Sequence, residues 1–381
     1  MIKQFVVNGF KSHKNTDINF KNLTVLCGSN GVGKSSLIHA LLLLRESYLK
    51  KTDFKYLDLL SNPIKVGNLK DAIYQKNSFD GFVFNLQTEL SNYEFNFENS
   101  DSNFTKTLIK ESQKKANKVD FKLIDMESLF NNDFQYISAA RLGPQEVYSK
   151  DDVIVEIHKQ ISVIEGKSEY CVHYLAKNQD KKILEKLIHK NNNINDLIHQ
   201  VSAWEKEISE GVNVVINDLG KLGYELKYEF ENDIKGKTNQ FYASNVGFGI
   251  TYVLPILVAI LSAKPGALII IENPEAHLHP KGISKLIELI CIATQAGIQI
   301  IIETHSDHII NGILVQSKKH EINPEHGIAR ENVSIYQFER NETEHCSIAQ
   351  KIEVEEGGKI INPPNGFFDQ IQNDLTQLLG F

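Results

Sequence analysis

Gly28-Ser29-Asn30-Gly31-Val32-Gly33-Lys34-Ser35 satisfies every fixed position of the pattern GxxxxGK[ST]. Glycines at this spacing let successive backbone N–H groups turn inward around phosphate oxygens. The N-terminus of a following helix adds partial positive charge. The flanks supply that context: Leu23–Leu26 is a short apolar run suited to a buried strand, and Ser35–Leu49 is strongly apolar over a helical length. Strand, glycine-rich loop and helix together predict a phosphate loop. Lys34 is expected to reach the β- and γ-phosphates of a nucleotide, and Ser35 to place its hydroxyl on Mg²⁺. Asn30, Gly31, Val32, Gly33, Lys34, Ser35 and Ser36 are the expected holders of ATP.

Outward from the loop, Phe5–Val7, Ile18 and Phe20, Phe82–Leu86 and Tyr93–Phe97 follow the period of strands. Asn99–Lys118 is polar and lysine-rich, expected as a hairpin loop or exposed edge. Tyr136–Ala139 reads as a short strand. Residues 150–235 change character. Ile183, Leu184, Leu187 and Ile188, then Leu197, Ile198, Val201, Trp204 and Ile208, recur at helical spacing, with a turn at Asn191–Asn193. This predicts a helical insertion, too short for a coiled-coil arm. The pair Asp151-Asp152 is expected to open a helix.

From Phe241 onward, helix Ile250–Leu261 (with Pro255 inside), strand Ala267–Ile271, helix Gly282–Thr294, strand Ile298–Ile302 and helix Asp307–Leu314 alternate. Such alternation implies a parallel sheet. Val333–Phe338 is expected as an edge strand. The expected fold is α/β, a P-loop NTPase head with a mixed central sheet, an N-terminal antiparallel β portion and the insertion. Its parts are residues 1–149, 150–235, 236–340 and a tail, 341–381.

The 381 residues are 41% hydrophobic and 23% charged, an ordinary globular composition. A net charge of −7 gives no support to wrapping nucleic acid. Cys27, Cys171, Cys291 and Cys346 are widely spaced, so neither a disulfide framework nor a zinc site is expected. The longest apolar runs fall short of the ~20 residues a membrane helix needs. With no signal-peptide pattern at residues 1–15, a cytoplasmic protein without membrane contact is expected.

The second half of the site follows the buried strands. Leu268–Ile271 ends in Glu272, at the strand end where an α/β sheet binds its ligand. Glu272 is expected to hold the metal through water, and Glu275, in Asn273-Pro274-Glu275, to position or activate the attacking water. Ile298–Ile302 runs into Glu303-Thr304-His305-Ser306-Asp307, where His305 is expected to contact the γ-phosphate or sense its loss. His277 and His279 are read as packing residues or contacts to a neighbouring subunit. An HxH zinc site lacks further ligands nearby.

Phe10-Lys11-Ser12-His13, the loop Gly28–Ser35, Glu272–Pro280 and Thr304-His305-Ser306 together resemble, in order, the ABC-type ATPase superfamily in the branch of SMC, RecF and OLD proteins. The nearest likeness is to a prokaryotic group with ENPEAHLHP, a GFG-bearing helix start and a GFFDQ-type tail. These stand here at Glu272–Pro280, Gly247–Gly249 and Gly366–Gln370. The resemblance implies that two heads sandwich two ATP molecules, each site completed in trans by a signature segment. Ser244–Gly249 is similar to that segment, so Asn245, Gly247 and Gly249 join the expected nucleotide contacts. One departure stands out: where many relatives place a second, water-activating acid, this chain has Asn273, and an amide cannot take a proton.

The resemblance further implies a head-to-head dimer or higher assembly that switches with nucleotide. Small proteins of this branch resemble the ATPase subunits of Septu- and PARIS-type anti-phage systems, which act beside a separate effector such as a nuclease or toxin. The rival readings are an OLD-type nuclease, a RecF-like repair ATPase with DNA as partner, and a transporter nucleotide-binding subunit. The nuclease reading needs a DxD pair after His305, which is not found. The RecF-like reading leans on the lysine-rich stretches Lys106–Lys118 and Lys177–Lys190.

Overall fold

A computed structural model describes residues 1–50, 56–60, 62–67, 69–77, 80–98, 105–108, 121–232, 236–361, 363–364, 366–368 and 370–379. Most of Asn99–Lys118 lies outside these. In chain order come β1 (Ile2–Phe10), β2 (His13–Asn19), β3 (Leu23–Gly28), α1 (Lys34–Leu49), β4 (Tyr56–Leu57), α2 (Leu69–Ala72), β5 (Gly81–Thr88), β6 (Asn92–Glu98), β7 (Thr105–Leu108), α3 (Phe121–Met126) and β8 (Phe134–Ile137). The middle of the chain holds α4 (Cys171–Asn178), α5 (Leu197–Ile208), β9 (Val212–Asp218), β10 (Tyr224–Asn232), β11 (Gly236–Lys237) and β12 (Phe241–Tyr242). The remainder is α6 (Phe248–Ser262), β13 (Leu268–Glu272), α7 (Pro280–Gln295), β14 (Gln299–Thr304), α8 (Asp307–Ile322), β15 (Val333–Asn341), β16 (Cys346–Ile352) and α9 (Gln370–Leu379).

The central sheet has the order β16-β15-β3-β14-β13-β8, parallel except for β16, which runs antiparallel to β15. Its strands are apolar on both faces because both faces are covered. Ile269, Ile271, Ile300, Ile302, Val25 and Ile335 point into a core shared with α5–α8. Leu268, Ile270, Ile301, Leu26 and Tyr336 point the other way, into a core shared with α1 and the strands of a second, antiparallel sheet. That second sheet has the order β2-β1-β5-β6-β7-β4. Phe5, Phe10, Phe82, Phe84 and Phe97 fill its inner face, with ring centroids 4.9–5.7 Å apart. At that spacing rings pack edge-on or offset.

Three expectations change. Residues 150–235 hold helices α4 and α5 but also the β9–β10 hairpin, since Val212–Ile216 and Tyr224–Tyr228 alternate between core and surface. Ile183–Ile188 is not an α-helix; only a 3₁₀ turn covers Glu185–Leu187, whose Leu187 carbonyl accepts the indole N–H of Trp204 at 2.9 Å. Val333–Phe338 is an inner strand rather than an edge, because β16 pairs outside it, and a boundary at residue 341 would cut that hairpin. Asp151 does open a helical turn, accepting from the N–H groups of Val153 and Ile154. No helix among the described residues is long and apolar enough to cross a membrane.

Glu205 on α5 is fully buried, and neither carboxylate oxygen has a hydrogen-bond partner among the described residues. Burial raises its pKa well above the ordinary carboxyl value. The folded state therefore binds the proton more tightly than the unfolded chain, and this group costs stability as pH rises past its unfolded pKa. Glu205→Met, close in volume, is expected to stabilise the protein by roughly 1–3 kcal/mol at neutral pH. The gain is expected to shrink in acid, where the unfolded carboxyl is protonated too; thermal unfolding at the two pH values measures it.

Candidate functional site

Polar side chains collect at the C-terminal ends of β3, β13 and β14, where the apolar strands stop. A cavity of about 370 Å³ opens there, lined by Ser12, Asn30, Gly31, Gly33, Lys34, Ser35, Ser36, Ala139, Glu272, Asn273, Glu303 and His305. The structure thus brings together Asn30, Gly31, Gly33, Lys34, Ser35, Ser36, Glu272 and His305 of the residues expected from sequence. Val32 differs: its side chain is buried in the core beside α1, so only its backbone can face the cavity. Asn245, Gly247 and Gly249 do not line the cavity of their own chain. They stand at the start of α6, where Asn245 and Gly247 are exposed.

The loop is held from several sides. Gly33 has φ of 106°, and a Cβ there would meet the hydroxyls of Ser347 at 2.1 Å and Ser12 at 2.7 Å, so only glycine fits. His13, fully buried, lies with Nε2 3.1 Å from the Gly33 carbonyl and Nδ1 2.9 Å from the Thr16 hydroxyl. Burial pushes its pKa down to about 4, so the ring is neutral and braces the loop without charge. Lys34 Nζ donates to the carbonyls of Gly28 at 2.9 Å and Ser29 at 2.6 Å. His305 Nδ1 reaches the same Gly28 carbonyl at 2.8 Å. Beyond Ser12 and Ser36 the cleft continues into a cavity of about 620 Å³, lined also by Lys11, Ile73, Tyr74 and Arg340.

The three carboxylates differ in setting. Glu272 accepts from the Tyr136 hydroxyl at 2.9 Å and the Ala139 N–H at 3.0 Å, and burial raises its pKa. Glu303 accepts from the Ser35 hydroxyl at 2.8 Å. Its pKa is pushed up to about 7 by burial first and then by the charge of Glu272. Sequence reading passed over Glu303 as a site residue, although it ends an isoleucine strand just as Glu272 does. Its importance comes from strand order: β14 lies between β3 and β13, so Glu303 pairs with Leu26 on one side and Glu272 on the other. Glu275 does not line the cavity. Its Oε1 accepts from the Thr304 hydroxyl at 2.7 Å and the His305 N–H at 3.3 Å, which holds the turn carrying His305. Serine hydroxyl and carboxylates form an all-oxygen donor set, the kind that suits Mg²⁺.

Arg141 is neither a cavity residue nor a surface one. Buried, it donates to the carbonyls of Tyr252 at 2.9 Å, Ser138 at 3.0 Å, Glu272 at 2.8 Å and Asn273 at 2.8 Å, and stacks over the Tyr252 ring at 3.9 Å. It therefore ties the first turns of α6 to the carboxylate turn. His277 reinforces the tie, packing edge-on against Phe248 and Tyr252. A Cβ on Gly249 would come within 2.3 Å of the His277 carbonyl. His279 caps α7, its Nδ1 accepting from the Lys281 N–H at 3.3 Å. Asn273 sits in the left-handed region with φ of 46°, which asparagine tolerates better than most residues. In the lysine-rich stretch 177–190, Lys177 is paired with Asp152 at 3.2 Å and Glu156 at 2.7 Å.

Residues 23–311 match the AAA_21 family model, described as "AAA domain, putative AbiEii toxin, Type IV TA system". Residues 328–378 match DUF3696, a family described as a protein of unknown function. No curated protein matches the chain. Among solved structures, the Smc head bound to the C-winged helix domain of ScpA aligns with a TM-score of 0.54 at 14% identity, over 93% of this chain and 99% of that one. A second is the Smc head domain with an extended coiled coil, bound to the C-terminal domain of ScpA and derived from Pyrococcus furiosus. It gives a TM-score of 0.52 at 12% identity over 99% of each chain. At such identities the likeness establishes the fold, an SMC-type ATPase head.

Replacing Arg141 removes a buried guanidinium that donates to four main-chain carbonyls. Arg141→Met is expected to lower stability by about 3 kcal/mol or more, read as a shift of the urea midpoint.

Proposed function

Because this chain belongs to the AAA_21 family of ATPase domains, we propose that it binds ATP with Mg²⁺, hydrolyses it slowly, and uses it as a cytoplasmic dimerisation switch. The observation that carries this is the single cavity shared by Lys34, Ser35 and the carboxylate ends of two isoleucine strands. Lys34 and the loop amides would hold the phosphates, and Ser35 with the carboxylates at the strand ends would face the metal. A bound divalent cation supplies neutralisation of phosphate charge. On binding, Lys34 exchanges the carbonyls of Gly28 and Ser29 for phosphate oxygens.

Slow turnover follows from the residues at hand. Asn273 can orient water but cannot accept its proton, and Glu275 is engaged with Thr304 and His305. The switch reading is supported by the Arg141 and His277 ties, which connect the turn at Glu272–Asn273 to the exposed start of α6. An amide-rich helix start bearing Asn245, Gly247 and Gly249 is suited to meet the γ-phosphate of a second head. As biological role we propose the sensor or regulatory subunit of an anti-phage system with a separate effector, a nuclease or toxin. The toxin–antitoxin wording of the family description supports this. Loss of defence in a Lys34→Ala strain challenged with phage tests it, and unchanged defence would count against it.

Lys34→Ala is expected to weaken ATP binding by about 10- to 100-fold, from loss of a charge-assisted contact, and to abolish turnover. Asn245→Ala, at an exposed position, is expected to leave ATP binding within a few fold while reducing the ATP-dependent dimer seen by light scattering. Binding and turnover unchanged in Lys34→Ala would refute the ATPase assignment.

A further inference from the structure

The two buried carboxylates at the strand ends pose a charge problem. Glu272 and Glu303 are register partners on adjacent parallel strands, 8% and 5% exposed, and both face the same cavity. Like charges on adjacent strand ends this dry repel unless one carboxyl is protonated or a cation stands beside them. Lys34 is the nearby cation in this structure, but a lysine of a phosphate loop turns to the phosphates when they arrive. A divalent cation arriving with the phosphates would then take its place.

Hydrogen bonding shows which carboxylate is left to meet it. Both oxygens of Glu272 are engaged, Oε1 by the Tyr136 hydroxyl and Oε2 by the Ala139 N–H. Glu303 uses only Oε1, for the Ser35 hydroxyl, while its Oε2 is buried without a hydrogen-bond partner among the described residues. A buried carboxylate oxygen left unpaired is costly, and a cation relieves it. Ser35 is also the loop residue whose hydroxyl belongs on the metal. Glu303 is thus the carboxylate bonded to the metal-binding hydroxyl, on the strand next to the loop, with an oxygen to spare. Glu272 stands one strand further out.

We propose that Glu303 is the carboxylate that holds the divalent cation together with Ser35, while Glu272 is held one strand away by Tyr136 and the Ala139 amide. This rests on the nucleotide-binding reading above. It assigns the metal to a position that a search for an acid after the Leu268–Ile271 strand overlooks.

The test separates metal from nucleotide. A fluorescent, non-hydrolysable ATP analogue is titrated into wild type, Glu303→Gln, Glu303→Asp and Glu272→Gln, once in EDTA and once in Mg²⁺. Bound Mn²⁺ is counted by electron paramagnetic resonance in the same complexes. Expected are wild-type affinity for Glu303→Gln in EDTA, loss of at least about tenfold of the Mg²⁺ enhancement, and loss of bound Mn²⁺. Glu303→Asp, which keeps the charge, is expected to recover part of both, and Glu272→Gln to retain both. Full enhancement in Glu303→Gln, or its loss in Glu272→Gln alone, would overturn the assignment. Circular dichroism confirms that each variant is folded; if Glu303→Gln does not fold, Glu303→Asp carries the comparison, and undiminished Mn²⁺ binding by a site lacking Ser35 (Ser35→Ala) argues against the proposal. A wild type that binds no analogue under either condition would remove the nucleotide reading itself, and the metal assignment with it.

Discussion

Everything in this molecule depends on a parallel sheet that is apolar on both faces. The runs Leu268–Ile271 and Ile300–Ile302 expose no polar side chain along their length, so each must be covered twice, by helices on one side and by the phenylalanine-lined second sheet with α1 on the other. Parallel strands that are fully covered have only their ends left for chemistry. Lys34, Ser35, Glu272, Glu303 and His305 all lie at that one edge because nowhere else along these strands can a charge reach solvent or a ligand.

The edge is not only where polar groups end up; it is also braced from beneath. Arg141 spends its guanidinium on four main-chain carbonyls rather than on any carboxylate, so it fixes backbone positions and leaves the acids free to act. His13 does the same for the loop, as a neutral ring against the Gly33 carbonyl. Glu275, expected from the sequence as a reacting acid, also acts as a brace, its Oε1 holding the Thr304 hydroxyl and the His305 amide. Rigid supports of this kind keep a site ready without the ligand, and they let a shift at one point be felt at another, here between the carboxylate turn and the start of α6.

Much of this was legible in advance, for local reasons. A phosphate loop is a contiguous motif, and apolar strands alternating with helices have a period that survives without any knowledge of partners. Glu272 could be found because it ends such a strand. What could not be read was strand order. Nothing local shows that β14 inserts between β3 and β13, and so nothing local marks Glu303 as a cavity residue beside Glu272. The helical reading of Ile183–Ile188 failed for a related reason: the Ile183 N–H goes to the Asn195 carbonyl at 3.0 Å and the turn packs against α7, with Leu187 in the core, so tertiary contact overrides a short stretch of favourable spacing. The β9–β10 hairpin was hidden in a segment whose helices dominated the pattern.

The phosphate loop Gly28–Ser35 is made early and finished late. Its strand, β3, lies between β14 and β15, some 300 residues further along the chain, and the Ser347 hydroxyl closes over Gly33 while bonding Ser12 at 2.7 Å. On the ribosome, Gly28–Ser35 therefore emerges long before the neighbours that shape it. Contacts of such long sequence separation form slowly, and the apolar strand waits exposed in the meantime. A chain lacking residues beyond β14 carries the complete motif but neither the β15 partner of β3 nor the Ser347 hydroxyl over Gly33, so the loop takes its final shape only once the β15–β16 hairpin is in place.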